Sequence, residues 1–192
     1  MKGFFLIFVL LFSANASADW GEAIEAYDTG DYETAFDEFT VLAEQGNASA
    51  QFNLGNMYSD GKGTVQDYKA TIHWYTKAAE QGHASAQFNL GGMYYNGKGT
   101  IQDYKEAIYW YTKAAEQRHA SAQNNLAIMY VKGEGAIQDY VRAHMWWNIS
   151  ASQGYAGAQE NRDLLKAEMT PSQIEQAQDL ARKCVAKEYK NC

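Results

Sequence analysis

The string Ala-Glu-Gln-Gly begins at Ala43 and returns at Ala79. Ala-Glu-Gln-Arg begins at Ala115, and a looser Ala-Ser-Gln-Gly at Ala151, so each step is 36 residues. Segments 43–78 and 79–114 are identical at 28 of 36 positions. Segment 115–150 keeps Ala120-Ser121-Ala122-Gln123, Asn125-Leu126, Met129-Tyr130, Gly133, Gly135 and Gln138-Asp139-Tyr140. A period of this length marks an architecture whose unit cannot bury its apolar face alone and stacks on copies of itself. Upstream, Asp31-Tyr32 with Ala35 and Phe39 echoes Asp103-Tyr104 with Ala107 and Tyr111. An incomplete first unit is therefore expected at 19–42, and a drifted C-terminal cap at 151–192.

Each unit reads as two helices. Ala50, Leu54, Met57 and Tyr58 recur at helical spacing and define one face. Asp60-Gly61-Lys62-Gly63 then stops the helix, glycine tolerating the positive φ of such a stop. Asp67 is placed to cap a second helix, whose Tyr68, Ile72, Tyr75 and Ala79 form a stripe with Trp74 beside it. One proline in 192 residues argues for helices over a loop-rich sandwich. The expected fold is all-α, a solenoid of antiparallel helix hairpins. Gly55, Gly91 and Ala127 share one mid-helix position, where glycine costs about 0.8–1 kcal/mol against alanine. Its recurrence predicts close approach of a neighbouring helix.

At the N-terminus, Lys2, the apolar run Phe4–Phe12 and Ala16-Ser17-Ala18 read as a secretory signal over 1–18, with Asp19 the first mature residue. The run is shorter than the ~20 residues that span a bilayer, so no membrane association is expected after cleavage. The net charge of −7, with both signs interspersed, argues against a nucleic-acid partner. At the other end, Thr170-Pro171-Ser172-Gln173 is a helix start. Its helix runs towards Cys184 with Ala177, Leu180, Ala181 and Cys184 on one stripe. Cys184 and Cys192 are the only thiols, and in an exported chain they read as a disulfide. An unbroken helix would hold them about 12 Å apart. The bond therefore requires the helix to end near Ala186–Glu188 and the tail to turn back.

The pattern A-x-A-Q-x-N-L-G-x-M-Y, then G-x-G, Q-D-Y and W-Y-x-K-A-A-E-Q-G, resembles the Sel1-like repeat, a relative of the tetratricopeptide repeat, over roughly 31–160. Departures are Arg118 for glycine, Asn124 for the aromatic of Phe52 and Phe88, and the last unit. The resemblance implies a superhelix with a concave binding surface, and a role as adaptor, exported regulator or host-interaction protein. It also implies that a second stripe of each first helix lines the groove. The stripe comprises Ser49, Phe52, Asn53, Asn56, Ser59 and Asp60. Phe88, Asn89, Gly92, Tyr95 and Asn96 follow, then Asn124, Asn125, Ile128 and Val131. Three of the eight differences between the near-identical units fall here: Asn56/Gly92, Ser59/Tyr95 and Asp60/Asn96. For the recurring Asn53, Asn89 and Asn125 two readings stand open, binding a ligand's backbone or bridging adjacent units.

Catalytic motifs are fragmentary. Gly92 to Lys98 matches part of a phosphate loop but continues with Gly99 instead of Ser or Thr. Ser59-Asp-Gly-Lys62 matches the S-x-x-K of serine β-lactamases without its companion motifs. A β-lactamase-like or cell-wall hydrolase, or a glycan binder using Phe52, Phe88 and Tyr95, is the alternative reading. Cysteine-rich relatives carry the first label, but this chain lacks their repeating cysteine pairs. His73, His83, His119 and His144 read as surface histidines and not as a metal site. Asp67, Asp103 and Asp139 recur as caps. The expectation is a periplasmic or secreted monomer without cofactor or catalytic residues, binding a protein or peptide.

Overall fold

The structure, a computed structural model, describes residues 18–192. The predicted signal segment thus lies outside the described residues, except Ala18. Ten α-helices follow one another: α1 (Trp20–Thr29), α2 (Tyr32–Glu44), α3 (Ala48–Asp60), α4 (Tyr68–Glu80), α5 (Ala84–Asn96), α6 (Tyr104–Ala115), α7 (Ala120–Lys132), α8 (Tyr140–Ser152), α9 (Ala156–Leu165) and α10 (Pro171–Ala186). No strand occurs among the described residues. Each helix from α1 to α8 packs on the next, and α10 returns to pack on α8. The chain is an all-α stack of helix pairs. The first unit holds a complete pair, joined by only Gly30 and Asp31, where the later pairs use seven residues.

Local chemistry sets the boundaries. Asp31, Asp67, Asp103 and Asp139 cap α2, α4, α6 and α8 by accepting from free backbone N–H groups. The G-x-G of the connecting turn has two distinct tasks. Its first glycine ends the helix in the left-handed region, as Gly97 does at φ 66°. Its second, Gly99, has φ 73°, and a Cβ there would lie 2.6 Å from the carbonyl oxygen of Tyr68 in the preceding unit. The turn can lie on its neighbour's backbone only because no side chain intervenes.

The core repeats too. Ala50, Leu54 and Met57 are buried, as are Ala86, Leu90, Met93 and Ala122, Leu126, Met129. Against them the second helices place Phe39, Tyr75, Tyr111 and Trp147, all buried at one repeat position. Here the mid-helix glycines find their reason. A Cβ on Gly55 would sit 2.6 Å from the Tyr75 ring, and one on Gly91 2.8 Å from that of Tyr111. The predicted close approach is therefore that of a tyrosine ring within the same hairpin.

A ladder of buried glutamines joins the units. Gln51, Gln87 and Gln123 donate from Nε2 to the carbonyls of Ala43, Ala79 and Ala115 in the preceding helix pair, at 3.0, 2.9 and 3.1 Å. Their Oε1 atoms accept from Gln81, Gln117 and Gln153. Each rung gives a second donor to a carbonyl near a helix C-terminus that already accepts from the backbone of the following turn. At the C-terminus α10 ends at Ala186, and Glu188, Tyr189 and Asn191 take positive φ. That turn brings Cys184 and Cys192 into a disulfide with Cα atoms 5.2 Å apart.

Candidate functional site

The groove stripe divides into residues that hold the units together and residues that border open space. Phe52 stacks between Tyr75 and His83, with centroids at 5.8 and 4.7 Å. Phe88 sits between Tyr111 and His119 at 5.7 and 4.6 Å. Both phenylalanines are half-buried parts of a ring stack that crosses from one unit to the next. Asn124, in their position, is buried and accepts from Trp147 Nε1 at 2.9 Å. The departure from the aromatic is thus matched by a second one, Trp147 for tyrosine.

His83 and His119 are not free surface residues, as the sequence suggested. They are helix caps whose Nδ1 atoms accept from Ala86 N at 3.2 Å and Ala122 N at 3.3 Å. Partial burial lowers the pKa of each below the usual histidine value. His144 departs further from that expectation. It is fully buried, neither ring nitrogen finds a partner, and burial pushes its pKa down to about 4. Among the described residues no cluster of three metal-ligating side chains forms.

The asparagines resolve into bridges where a tyrosine faces them. Asn89 donates from Nδ2 to Tyr75 Oη of the preceding unit at 3.2 Å. Tyr75 Oη in turn donates to Asn56 Oδ1 in its own hairpin. Burial pushes the Tyr75 hydroxyl up to about 12. Asn125 and Tyr111 stand together at the next seam, where burial raises that hydroxyl too. Asn53 lies at the seam whose ring is Phe39, which has no hydroxyl to offer.

Two cavities open at successive seams of this face. The first, of about 210 Å³, lies between α3–α4 and α5, bordered by Ser59, Tyr68, Tyr75, Phe88, Asn89, Gly92, Asn96 and Lys98. The second, of about 100 Å³, lies one unit on, bordered by Tyr95, Tyr111, Asn125, Ile128 and Met129. Ser59, Gly92, Tyr95 and Ile128 therefore border space, as do Phe88, Asn89 and Asn125 along one edge. Phe52, Asn53, Asn56 and Asn124 border neither cavity. Tyr68, Tyr75 and Lys98 escaped the sequence reading, two as core-stripe residues and one as a turn residue. Lys98 was findable as the single long cation that follows the Asn96 end of the stripe. Its Nζ lies 4.9 Å from the Tyr68 ring centroid.

The motif fragments have other uses. Lys62, the lysine of S-x-x-K, donates to Tyr27 Oη at 2.8 Å. Among the described residues no lysine or histidine hydrogen-bonds the Ser59 hydroxyl, the pairing a serine nucleophile needs. Gly97 of the phosphate-loop fragment is the helix stop described above.

A stack of near-identical helix pairs, joined by recurring glutamines, defines a repeat scaffold. Three consecutive Sel1 repeats match at residues 48–83, 84–119 and 120–155, and the chain belongs to the Sel1 repeat family. Their 36-residue length equals the period in the sequence. A Sel1 repeat protein from Oxalobacter formigenes is 38% identical with a TM-score of 0.71, covering 74% of this chain and 58% of that one. A protective antigen of uropathogenic Escherichia coli displaying an SLR fold is 31% identical with a TM-score of 0.77, covering 90% of this chain and 40% of that one. The chain thus spans less than two thirds of either structure. No curated protein matches it. Sel1 repeat proteins are in general protein–protein interaction scaffolds, typically without enzymatic activity. No described helix is long and apolar enough to cross a membrane.

Proposed function

We propose that this chain is an exported, non-enzymatic scaffold that binds a protein or peptide along the face formed by α3, α5 and α7. One observation carries the reading. Where units 43–78 and 79–114 differ on this face, four of the six differing residues, Ser59, Gly92, Tyr95 and Asn96, border the two seam cavities. The rungs, aspartate caps and ring stacks beneath them are kept. A constant frame with a varied lining suits recognition of an extended partner, which gains from several shallow subsites in a row. The general role of the family supports the same reading, as does the disulfide, which favours an oxidising compartment.

The test selects peptides from a random display library on residues 19–192. The scaffold carries a photoreactive benzoylphenylalanine at position 96, or at position 80 beyond the groove. Selected peptides are expected to crosslink at position 96 and not at position 80. Equal labelling at both positions, or no selected peptide at all, overturns the reading. Export is tested separately by sequencing the N-terminus of protein recovered from the periplasm of an expressing bacterium. Asp19 as first residue is expected, and a retained Met1 refutes it.

A further inference from the structure

Resting on the peptide-binding reading of the α3–α5–α7 face, we propose that its first seam takes a tyrosine side chain of the partner polypeptide. The site is bounded by Ser59, Tyr68, Gly92, Asn96 and Lys98. The argument comes from the chain's own next seam. By the 36-residue period Ser59 corresponds to Tyr95, Tyr68 to Tyr104, Gly92 to Ile128 and Asn96 to Lys132.

At the second seam Tyr95 lays its ring beside Tyr104, with centroids 5.4 Å apart. Its hydroxyl accepts from Lys132 Nζ at 3.1 Å. The Tyr95 ring and the Ile128 side chain line what space remains, about 100 Å³. The floor is Tyr111 with Asn125, and at the first seam it is the corresponding pair, Tyr75 with Asn89. There, however, a serine and a glycine stand where the tyrosine and isoleucine would be, and about 210 Å³ is open. The two seams share one floor, and the space above it is taken by the chain's own phenol in one copy and open in the other, where Lys98 also replaces Glu134 at the rim.

What fills the second copy defines what fits the first. An incoming phenol ring would lie on Tyr68 as Tyr95 lies on Tyr104, an offset aromatic pairing. Its hydroxyl would meet donors at the rim. Asn96 stands where Lys132 stands in the filled copy, and Lys98 Nζ is already poised 4.9 Å from the Tyr68 ring centroid. Leucine would occupy the volume but offer no acceptor to these donors and no face to the cation. The site therefore discriminates for tyrosine by two kinds of contact, one with the ring and one with its oxygen.

The probe is N-acetyl-tyrosinamide, titrated into isotope-labelled residues 19–192 with N-acetyl-leucinamide as control. Expected shifts concentrate at the Gly92 backbone amide and at the side-chain amides of Asn89 and Asn96, and the leucine compound binds at least about tenfold more weakly. Ser59→Tyr combined with Gly92→Ile copies the next seam and should abolish the tyrosine response. A Cβ at Gly92 meets only Tyr111 Oη, at 3.6 Å, so the first carbon of the new side chain is accommodated. If the double variant does not fold, Ser59→Tyr alone serves, and should weaken the response at least about tenfold. Equal response to both probes, or a response unmoved by Ser59→Tyr, overturns the tyrosine site. Peptides that crosslink at position 96 yet keep their affinity when tyrosine is replaced by alanine do the same, and leave the scaffold reading standing. Absence of any such peptide overturns the scaffold itself.

Discussion

Helices α4 and α6 bury one stripe and leave the rest to solvent, whereas α8, at the same repeat position, is enclosed by α7, α9 and α10. The substitutions follow the burial. His73 and Tyr109 are exposed, and their counterpart Met145 is buried. Lys77 and Lys113 are exposed, and their counterpart Ile149 is buried. A helix enclosed on several sides needs apolar residues around more of its circumference. What looks like drift after residue 140 is thus the seat of the terminal helix, and α10 closes the stack by covering a face that α4 and α6 keep open. The central seams depend on backbone proximity and amide rungs, while the terminal end depends on side-chain enclosure.

The largest effect is expected where a central seam closes on backbone. In Gly99→Ala the new Cβ would lie 2.6 Å from the Tyr68 carbonyl oxygen, at a φ of 73° that alanine resists. The turn must then withdraw from the preceding unit. We expect a loss of about 3–4 kcal/mol. Thermal denaturation by circular dichroism should show a fall in Tm of roughly 6–15 °C. A change of only a degree or two would mean that the seams do not depend on this approach.

The terminal end should be the acid-sensitive one. His144 replaces Ile72 and Ile108 of the central units. Burial, with the positive charges of Arg162 and Lys166, holds its pKa at about 4, while Asp163 opposes them. The folded value lies below the unfolded one near 6.5, so the native state binds fewer protons. Stability is full above about pH 6.5 and falls as pH drops towards 4, by about 3 kcal/mol at most. His83 and His119 act in the same direction, because their capping nitrogens must stay unprotonated. Urea midpoints measured across this window should fall in the wild type and flatten in His144→Ile. An unchanged slope would place the acid sensitivity elsewhere.

The helix pairs were legible in the sequence because everything that defines them is local. Asp67 lies beside the turn it caps, and Ala50, Leu54 and Met57 lie along one helix. The seam was legible only in part, because its partners come from different units. Nothing local to Phe88 reveals that His119 will stack on it, and nothing local to Asn89 reveals the Tyr75 hydroxyl. Gln87 was read as part of a recurring motif without a task. Its carbonyl partner, Ala79, is visible only once the preceding helix end is placed. Residues that vary, such as Ser59 and Gly92, were the better guide to open space than the conspicuous aromatics.

A smaller effect, of about 2 kcal/mol, is expected from Gln87→Leu. It removes the side-chain donor from the Ala79 carbonyl, which keeps the Gly82 N–H, and leaves Gln117 Nε2 without its acceptor. The matching change Gln123→Leu removes the same rung at the terminal end, taking a donor from the Ala115 carbonyl and the acceptor from Gln153 Nε2. If enclosure dominates there, its cost should be the lower of the two by chemical denaturation. Equal costs would erase the distinction between the two regions.

The smallest effect concerns residues that recur without packing. Val65, Ile101 and Ile137 share one repeat position in the turn between paired helices, yet are 85%, 87% and 90% exposed. Recurrence elsewhere in this chain marks a contact, as with the glutamines and the capping aspartates. Here it marks none within the chain. Replacing all three with serine removes almost no buried apolar area, so each change should move stability by no more than about 0.5 kcal/mol. Guanidinium denaturation of the triple variant measures the sum directly. A loss of several kcal/mol would mean that the connecting turns carry part of the stacking. The contrast between backbone-closed seams and an enclosed end would then need a third component.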